Sequence, residues 1–227
     1  MNKSELIRKL REDLLDDVPD VSDPGDDDYL WSDRTLSRYL SEAQDEACRR
    51  ADLIFDATTD AFTDVSLVDG TATYALNAKI TKIVSVKLDN EPLARTTRFD
   101  LDRNRPFWEA HTSGDPMYWF YENGSLTLYP KPDATAAAKT CTVAVYRLPQ
   151  ADLALDSDTP EIPAYYHPHL CYYAAYLAFL RPDEDSQNAQ RAPLMLQMFD
   201  AVFGRMRTAL ADELLKDHGD DIIVRAE

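Results

Sequence analysis

The residues that could do chemistry are few, and their spacing does not bring them together. His167-Pro168-His169 is the one local histidine pair. On a helix an i, i+2 spacing turns the two rings to different sides, so a shared metal is poorly supported and an exposed or helix-capping role is expected. His111 and His218 stand alone. Asp100/Asp102 and Asp183/Asp185 offer the paired carboxylates a glycoside hydrolase needs. Among 41 acidic residues such pairs arise by chance. The aspartate-rich stretch from Asp20 to Asp28 lacks the Asp-x-Asp-x-Asp-Gly order and closing Glu of a calcium loop. There is no GxSxG, Walker, HExxH or GxGxxG signature, and six glycines leave little for a phosphate cradle. No catalytic, cofactor-binding or metal-ligating residue is expected, so function should lie in surfaces.

Cys48, Cys141 and Cys171 are odd in number and widely spaced, without a CxxC. This spacing suggests neither a zinc ribbon nor a disulfide framework, and buried reduced thiols are expected. The net charge of -17 repels nucleic-acid phosphates, which argues against sequence-reading DNA recognition. Acidity does suit a wall past which DNA slides without adhering. The charged N-terminal residues do not form a signal peptide, and no run approaches the roughly 20 apolar residues of a membrane span. Synthesis and folding in a cytoplasm-like compartment are expected.

The elements that would carry these residues follow from periodicity. Leu6, Ile7, Leu10 and Leu14 give a first helix from a Ser4 cap to about Asp16, ended by Pro19. Ser32 or Asp33 caps a second, with Leu36, Tyr39, Leu40, Ala43, Ala47 and Ala51 on one face, charged residues on the other and Trp31 as a staple. From Ala61 the period shortens. Short runs around Val65, Tyr74, Ile80–Leu88, Tyr118–Tyr121, Leu126–Tyr129 and Thr140–Leu148 read as roughly six to eight antiparallel strands. Asp69-Gly70, Asp89-Asn90 and above all Asn123-Gly124 mark turns. Phe99, Leu101, Phe107 and Trp108 form an amphipathic turn and loop. In the aromatic run Tyr118-Trp119-Phe120-Tyr121 alternate rings should enter the core and the others an interface. After a linker over 155–163, a third helix is expected from Ala164 to Leu180. A fourth should run from about Asp185 to Lys216, kinked near Pro193 and lined by Met195, Met198, Phe199, Val202, Phe203, Met206, Leu210 and Leu214. Gly219 is placed as its cap.

The fold class is therefore α+β: a bundle of about four helices with an inserted antiparallel β-sandwich or barrel-like domain. The expected divisions are residues 1–60 and 161–218 for the bundle, 61–160 for the β-rich domain and 219–227 for a tail.

The order of these pieces resembles the head-to-tail adaptor (connector, or head-completion) proteins of tailed bacteriophages. The second helix, Leu36-Ser37-Arg38-Tyr39-Leu40-Ser41-Glu42-Ala43, resembles the family's L-x-x-Y-L-x-x-A helix. Thr73-Tyr74-Ala75-Leu76 and Ile80-Thr81-Lys82-Ile83-Val84-Ser85-Val86 resemble its strands. Gly114-Asp115-Pro116-Met117-Tyr118-Trp119, followed by Leu126-Thr127-Leu128-Tyr129-Pro130-Lys131-Pro132, is similar to its hairpin. Val143 to Pro149 and the Ile162-Pro163 approach to an Ala/Tyr-rich helix complete the series, which covers about residues 31–180.

The resemblance implies a structural virion protein, made in the host cytoplasm, that forms a homo-oligomeric ring of about twelve copies below the portal protein. The ring would join the head to a tail or nozzle protein and extend the DNA channel, with no enzyme activity, cofactor or membrane. A tail-terminator or minor capsid protein is the first alternative, and an acidic cell-wall hydrolase is a more remote one. Leu214, Leu215, Ile222, Ile223 and Val224, an apolar cluster at and beyond the end of the last helix, are candidates for the portal interface. Trp108, Trp119 and Tyr121 are candidates for a tail-side or inter-subunit interface.

Overall fold

Two hydrophobic periods in one chain produce one core among the helices and one between the sheets, with a smaller third cluster on the outer face of one sheet. The computed structural model describes residues 1–17, 29–181 and 190–205. The chain begins with α1 (Lys3–Lys9), which runs into a π-helical turn (Leu10–Leu15), and continues with α2 (Asp33–Ala51). The β-rich segment follows: β1 (Phe55–Asp56), α3 (Asp60–Thr63), β2 (Asp64–Val65), β3 (Thr73–Ala75), β4 (Ile80–Leu88), β5 (Glu91–Pro92) and β6 (Ala94–Arg95). It continues through α4 (Arg98–Asn104), a 3-10 turn (Trp108–Ala110), β7 (Tyr118–Glu122), β8 (Ser125–Tyr129), α5 (Ala134–Ala137) and β9 (Cys141–Arg147). A second 3-10 turn (Ala164–Tyr166), α6 (His167–Phe179) and α7 (Arg191–Phe203) close the described chain. One unit comprises the described residues of 1–54 and 148–205, the other residues 55–147. The segment 148–163 lies in the helical unit because Leu153 and Ile162 are buried in its core.

In the helical unit α1, α2, α6 and α7 share one core, with α6 having no exposed residue between His167 and Phe179. The first helix is capped by Asn2, not Ser4. Asn2 Oδ1 accepts from Glu5 N at 2.9 Å while Glu5 Oε2 accepts from Asn2 N at 3.1 Å, a reciprocal capping box. The π turn changes its buried stripe. A wider turn adds a residue per revolution, so Leu15 follows Leu10 into the core and the expected Leu14 is only partly buried. Ser32 caps α2 through Thr35 N, and Trp31 meets Tyr39 edge-on at 6.5 Å. The described part of the last helix stops at Phe203, because Gly204 adopts φ +81° and ψ 167°. The expectations for Pro19, Asp20 to Asp28, the helix start near Asp185, its extension to Lys216 and the Gly219 cap lie outside the described residues.

The β unit has two sheets, neither closed into a barrel. One has the order β1-β9-β4-β5 with β2 also on β9, and the other β3-β8-β7-β6. Both sheets contribute to a core of Tyr74, Ile80, Ile83, Val86, Trp119, Leu126, Leu128, Val143 and Val145. The three-residue spacing of Ile80, Ile83 and Val86 does not fit a flat strand of period two. Two register shifts, between Ile80 and Lys82 and between Ile83 and Ser85, each insert one extra residue opposite β9, and all three side chains reach the same face. Asn123-Gly124 makes the tight β7–β8 turn, with φ of 49° and 76° as a two-residue hairpin requires. One pairing departs from the antiparallel expectation: β6 lies parallel to β7. Parallel neighbours need a long crossover, and residues 96–117 supply it.

Candidate functional site

Asp100, Asp102 and His167, singled out for chemistry, all have structural partners. Asp100 sits in the first turn of α4 and accepts from Thr97 Oγ1 at 2.8 Å, whereas Asp102 accepts from Trp108 Nε1 at 2.7 Å. The two carboxylates thus serve different partners, and Asp183/Asp185 lie outside the described residues. His167 is buried rather than exposed. Its Nε2 lies 2.8 Å from Ile162 O, so it donates there, and its Nδ1 is 3.1 Å from both the amino nitrogen and the carbonyl oxygen of Met1. His169 packs its ring against Tyr172 and has a buried Nδ1 without a hydrogen bond among the described residues. Among the described residues no group of three or more His, Cys, Asp or Glu could hold a metal, and no helix is long and apolar enough to cross a membrane. Cys48, Cys141 and Cys171 are free and buried. Burial pushes the Cys141 thiol up to about 11 and the Cys171 thiol up to about 12, which leaves both as inert core groups.

Charge inside the fold is paired with care. Arg50 and Glu46, read from the sequence as part of a solvated face of α2, are buried. Arg50 Nε donates to Glu46 Oε1 at 2.7 Å, and its Nη1 donates to Asp200 Oδ1 at 2.6 Å and Gly204 O at 3.0 Å. Its guanidinium also lies over the Phe199 ring, 5.1 Å from the centroid. Burial works against the Arg50 charge, but the hydrogen bonds to Glu46 and Asp200 raise its pKa overall. The arrangement locks the last turn of α7 to α2. Arg11 ties the end of the first helix to the start of α2: it pairs with Asp17 and donates to Trp31 O at 2.6 Å and Asp33 Oδ1 at 2.7 Å. In the β unit Arg147 Nε donates to Asp56 Oδ2 at 2.6 Å. Burial alone would raise the pKa of Asp56. The N–H groups of Thr58 and Thr59 and the Arg147 guanidinium outweigh it and hold this carboxyl well below the usual range.

Of the residues proposed for a tail-side or inter-subunit surface, Trp108 is 6 % and Trp119 2 % exposed, so neither indole offers area to a partner. Trp119 belongs to the core between the sheets, with its Nε1 donating to Leu93 O at 3.2 Å, and Tyr121 is half-buried against that core. Alternation along β7 sends Phe120 to the other face, as the pleat requires. That face is covered by the chain itself: Leu101 and Trp108, from the excursion between β6 and β7, pack with Phe120 and Tyr129. Leu214, Leu215, Ile222, Ile223 and Val224 lie outside the described residues.

Exposed apolar side chains are spread over the described residues, and two groups stand out. On α7, Leu194 and Met198 are exposed at i, i+4 spacing, beside the buried stripe of Met195, Phe199 and Phe203. On the β6–β7 excursion, Phe99 is 71 % and Phe107 85 % exposed. Phe107 also adopts φ 62°, a left-handed conformation rare for a bulky residue. The excursion also carries three arginines, Arg98, Arg103 and Arg105, among four acidic residues. Arg98 is spent on Glu109 and Glu122, each at 2.9 Å. Arg103 and Arg105 are exposed, with no side-chain ion pair among the described residues. The sequence grouped Phe99, Leu101, Phe107 and Trp108 as an amphipathic turn and loop; the structure turns Phe99 and Phe107 outward and Leu101 and Trp108 inward.

A fold with two main cores, inert thiols, internally paired charges and exposed apolar area on a helix and on a loop defines a protein that works through contact surfaces. The particular family is given by comparison: the chain matches the family described as SU10 adaptor protein over residues 1–219. It belongs to that family, a family of phage head-to-tail adaptors, and is a phage structural adaptor and virion component. No curated protein matches the chain.

Proposed function

We propose that the chain forms a ring of about twelve copies beneath the portal, joins the filled head to a tail or nozzle protein and extends the DNA channel. The observation that carries this reading is the family match, which runs through both units as one stretch of 219 residues. In the same reading the helices around α6 are the family's four-helix bundle and the two sheets are its inserted sandwich-like domain. The exposed Leu194 and Met198 supply area for a neighbouring subunit, since an apolar helix face left in water is a liability in a lone monomer. A net charge of -17 suits a lumen that DNA traverses without sticking. The protein is made in the host cytoplasm and acts in the virion.

Portal docking is assigned to Leu214, Leu215, Ile222, Ile223 and Val224. Deleting residues 219–227 should abolish binding to the purified portal while circular dichroism is unchanged; undiminished binding would remove these residues from the interface. The function as a whole is tested by infection with phage that cannot make this chain. Electron micrographs should show packaged heads and free tails, unjoined. Normal tailed particles would overturn the proposal.

A further inference from the structure

We infer that the β6–β7 excursion of one copy docks, through Phe107 and Arg105, into a groove between β2 and β3 of the next copy. The inference rests on the ring reading and goes beyond it by naming the contact. The groove, of about 430 Å³, exposes Ala61, Ala75 and part of Leu76, with Asp64 and Ser66 beside them.

Three observations select a second copy as the occupant. Charge is the first. From Phe55 to Ala78 there are four aspartates and no lysine or arginine. Asp60, Asp64 and Asp69 are exposed and make no side-chain ion pair among the described residues. Arg103 and Arg105 on the excursion are unpaired in the same sense and can meet these aspartates. Topology is the second. The knob stands over β7 and β8 on the face that Phe120 and Tyr129 share, away from the core between the sheets, and the groove lies beside β2 and β3, whose Val65 and Tyr74 belong to that core. Knob and groove do not touch within one copy. Repeated between copies they make a heterologous contact, the kind that closes into rings. Conformation is the third. Phe107 is held outward at positive φ by a rigid base, with Trp108 N donating to Arg105 O at 3.0 Å and Ala110 N to Phe107 O at 2.9 Å. Trp108 beneath it is fixed between Phe120 and Tyr129, at 5.9 Å from each ring. A knob that is rigid before docking loses little freedom on binding.

The test is a disulfide trap in the full chain, mixed with its portal ring. Phe107→Cys and Ser66→Cys change exposed positions, and the three native thiols are buried, so they do not compete. Mild oxidation of the two variants mixed should give a cross-linked heterodimer, and neither variant alone should give one. Asp64→Arg or Arg105→Asp alone should weaken self-association about tenfold, and the two changes in one chain should restore part of it. Rings that assemble normally, by particle mass, without cross-linking and without a charge-swap effect would overturn this contact and leave the ring reading intact. A cross-link from Phe107→Cys to the portal rather than to Ser66→Cys would assign the knob to the portal and overturn the second copy as occupant. Absence of any assembly, with or without portal, would overturn both readings.

Discussion

Arg50 and Arg105 show two uses of the same side chain. In the helical unit Arg50 is enclosed: Glu46, Asp200 and Gly204 take its donors, and the Phe199 ring covers one of its faces. On the excursion of the β unit, Arg105 stands in solvent two residues from an exposed phenylalanine. The first guanidinium is satisfied by its own chain and holds two helices together. The second is left open by a segment whose inner half, Leu101 and Trp108, is as well packed as any core. The difference teaches where to look for function in a protein without catalytic residues. An open charge on a rigid base is available to a partner, whereas a closed one is structural.

The comparison can be broken by substitution, beginning with the largest effect. Phe199 is fully buried and touches Tyr173 and Phe203, with ring centroids at 4.9 and 4.6 Å. Phe199→Ala should cost about 4 kcal/mol in chemical denaturation of the helical unit. Arg50→Ala leaves the Glu46 carboxylate buried without its cation and should cost about 3 kcal/mol, with the first loss of hydrogen-exchange protection at the end of α7. Replacing Arg50 and Glu46 together by Met and Leu should recover much of that loss, because it removes the stranded charge.

A smaller effect is expected from pH. Asp56 has a depressed folded-state pKa, so its ion pair with Arg147 and its turn hydrogen bonds contribute fully above the unfolded aspartate value of about 3.9. The contribution is lost as pH falls through the lower folded value. Acid titration should therefore destabilise the β unit of the wild type below about pH 4, and Asp56→Asn should flatten that limb while lowering stability at neutral pH. Asn2→Ala, which removes half of the capping box, should cost about 1 kcal/mol. Arg105→Ala should change stability by less than about 0.5 kcal/mol. A loss of 2 kcal/mol there would mean that Arg105 is structural like Arg50, and the contrast between the two would fail.

Much of this fold was legible in the sequence where a single local rule governs it. Asn123-Gly124 named its turn because only such residues accept positive φ at both positions, and Ser32 named its cap. Ile80, Ile83 and Val86 were assigned to a strand on composition; the bulges that make their spacing workable are a property of the partner strand. Asn2 and Glu5 carried a readable capping box that Ser4 obscured. The exchange of Leu14 for Leu15 was not readable, because a π turn leaves no mark in a short helix pattern. Arg50 and Glu46 looked like a solvated pair because pattern reading assigns charge outward, and only the approach of Asp200, 150 residues later, makes them a core pair. Trp108 and Trp119, candidates for a tail-side or inter-subunit interface, are buried. Burial depends on what covers each face of β7, and the cover is an excursion whose path the sequence does not announce.

The central claim is that these surfaces assemble a ring on a portal. Mass photometry of the purified chain alone and mixed with its portal ring tests it most directly. The account predicts added mass in an integral multiple of 25.8 kDa that matches the portal's symmetry, lost with the 219–227 deletion. An intact portal that gains no mass at any concentration of the chain would contradict it.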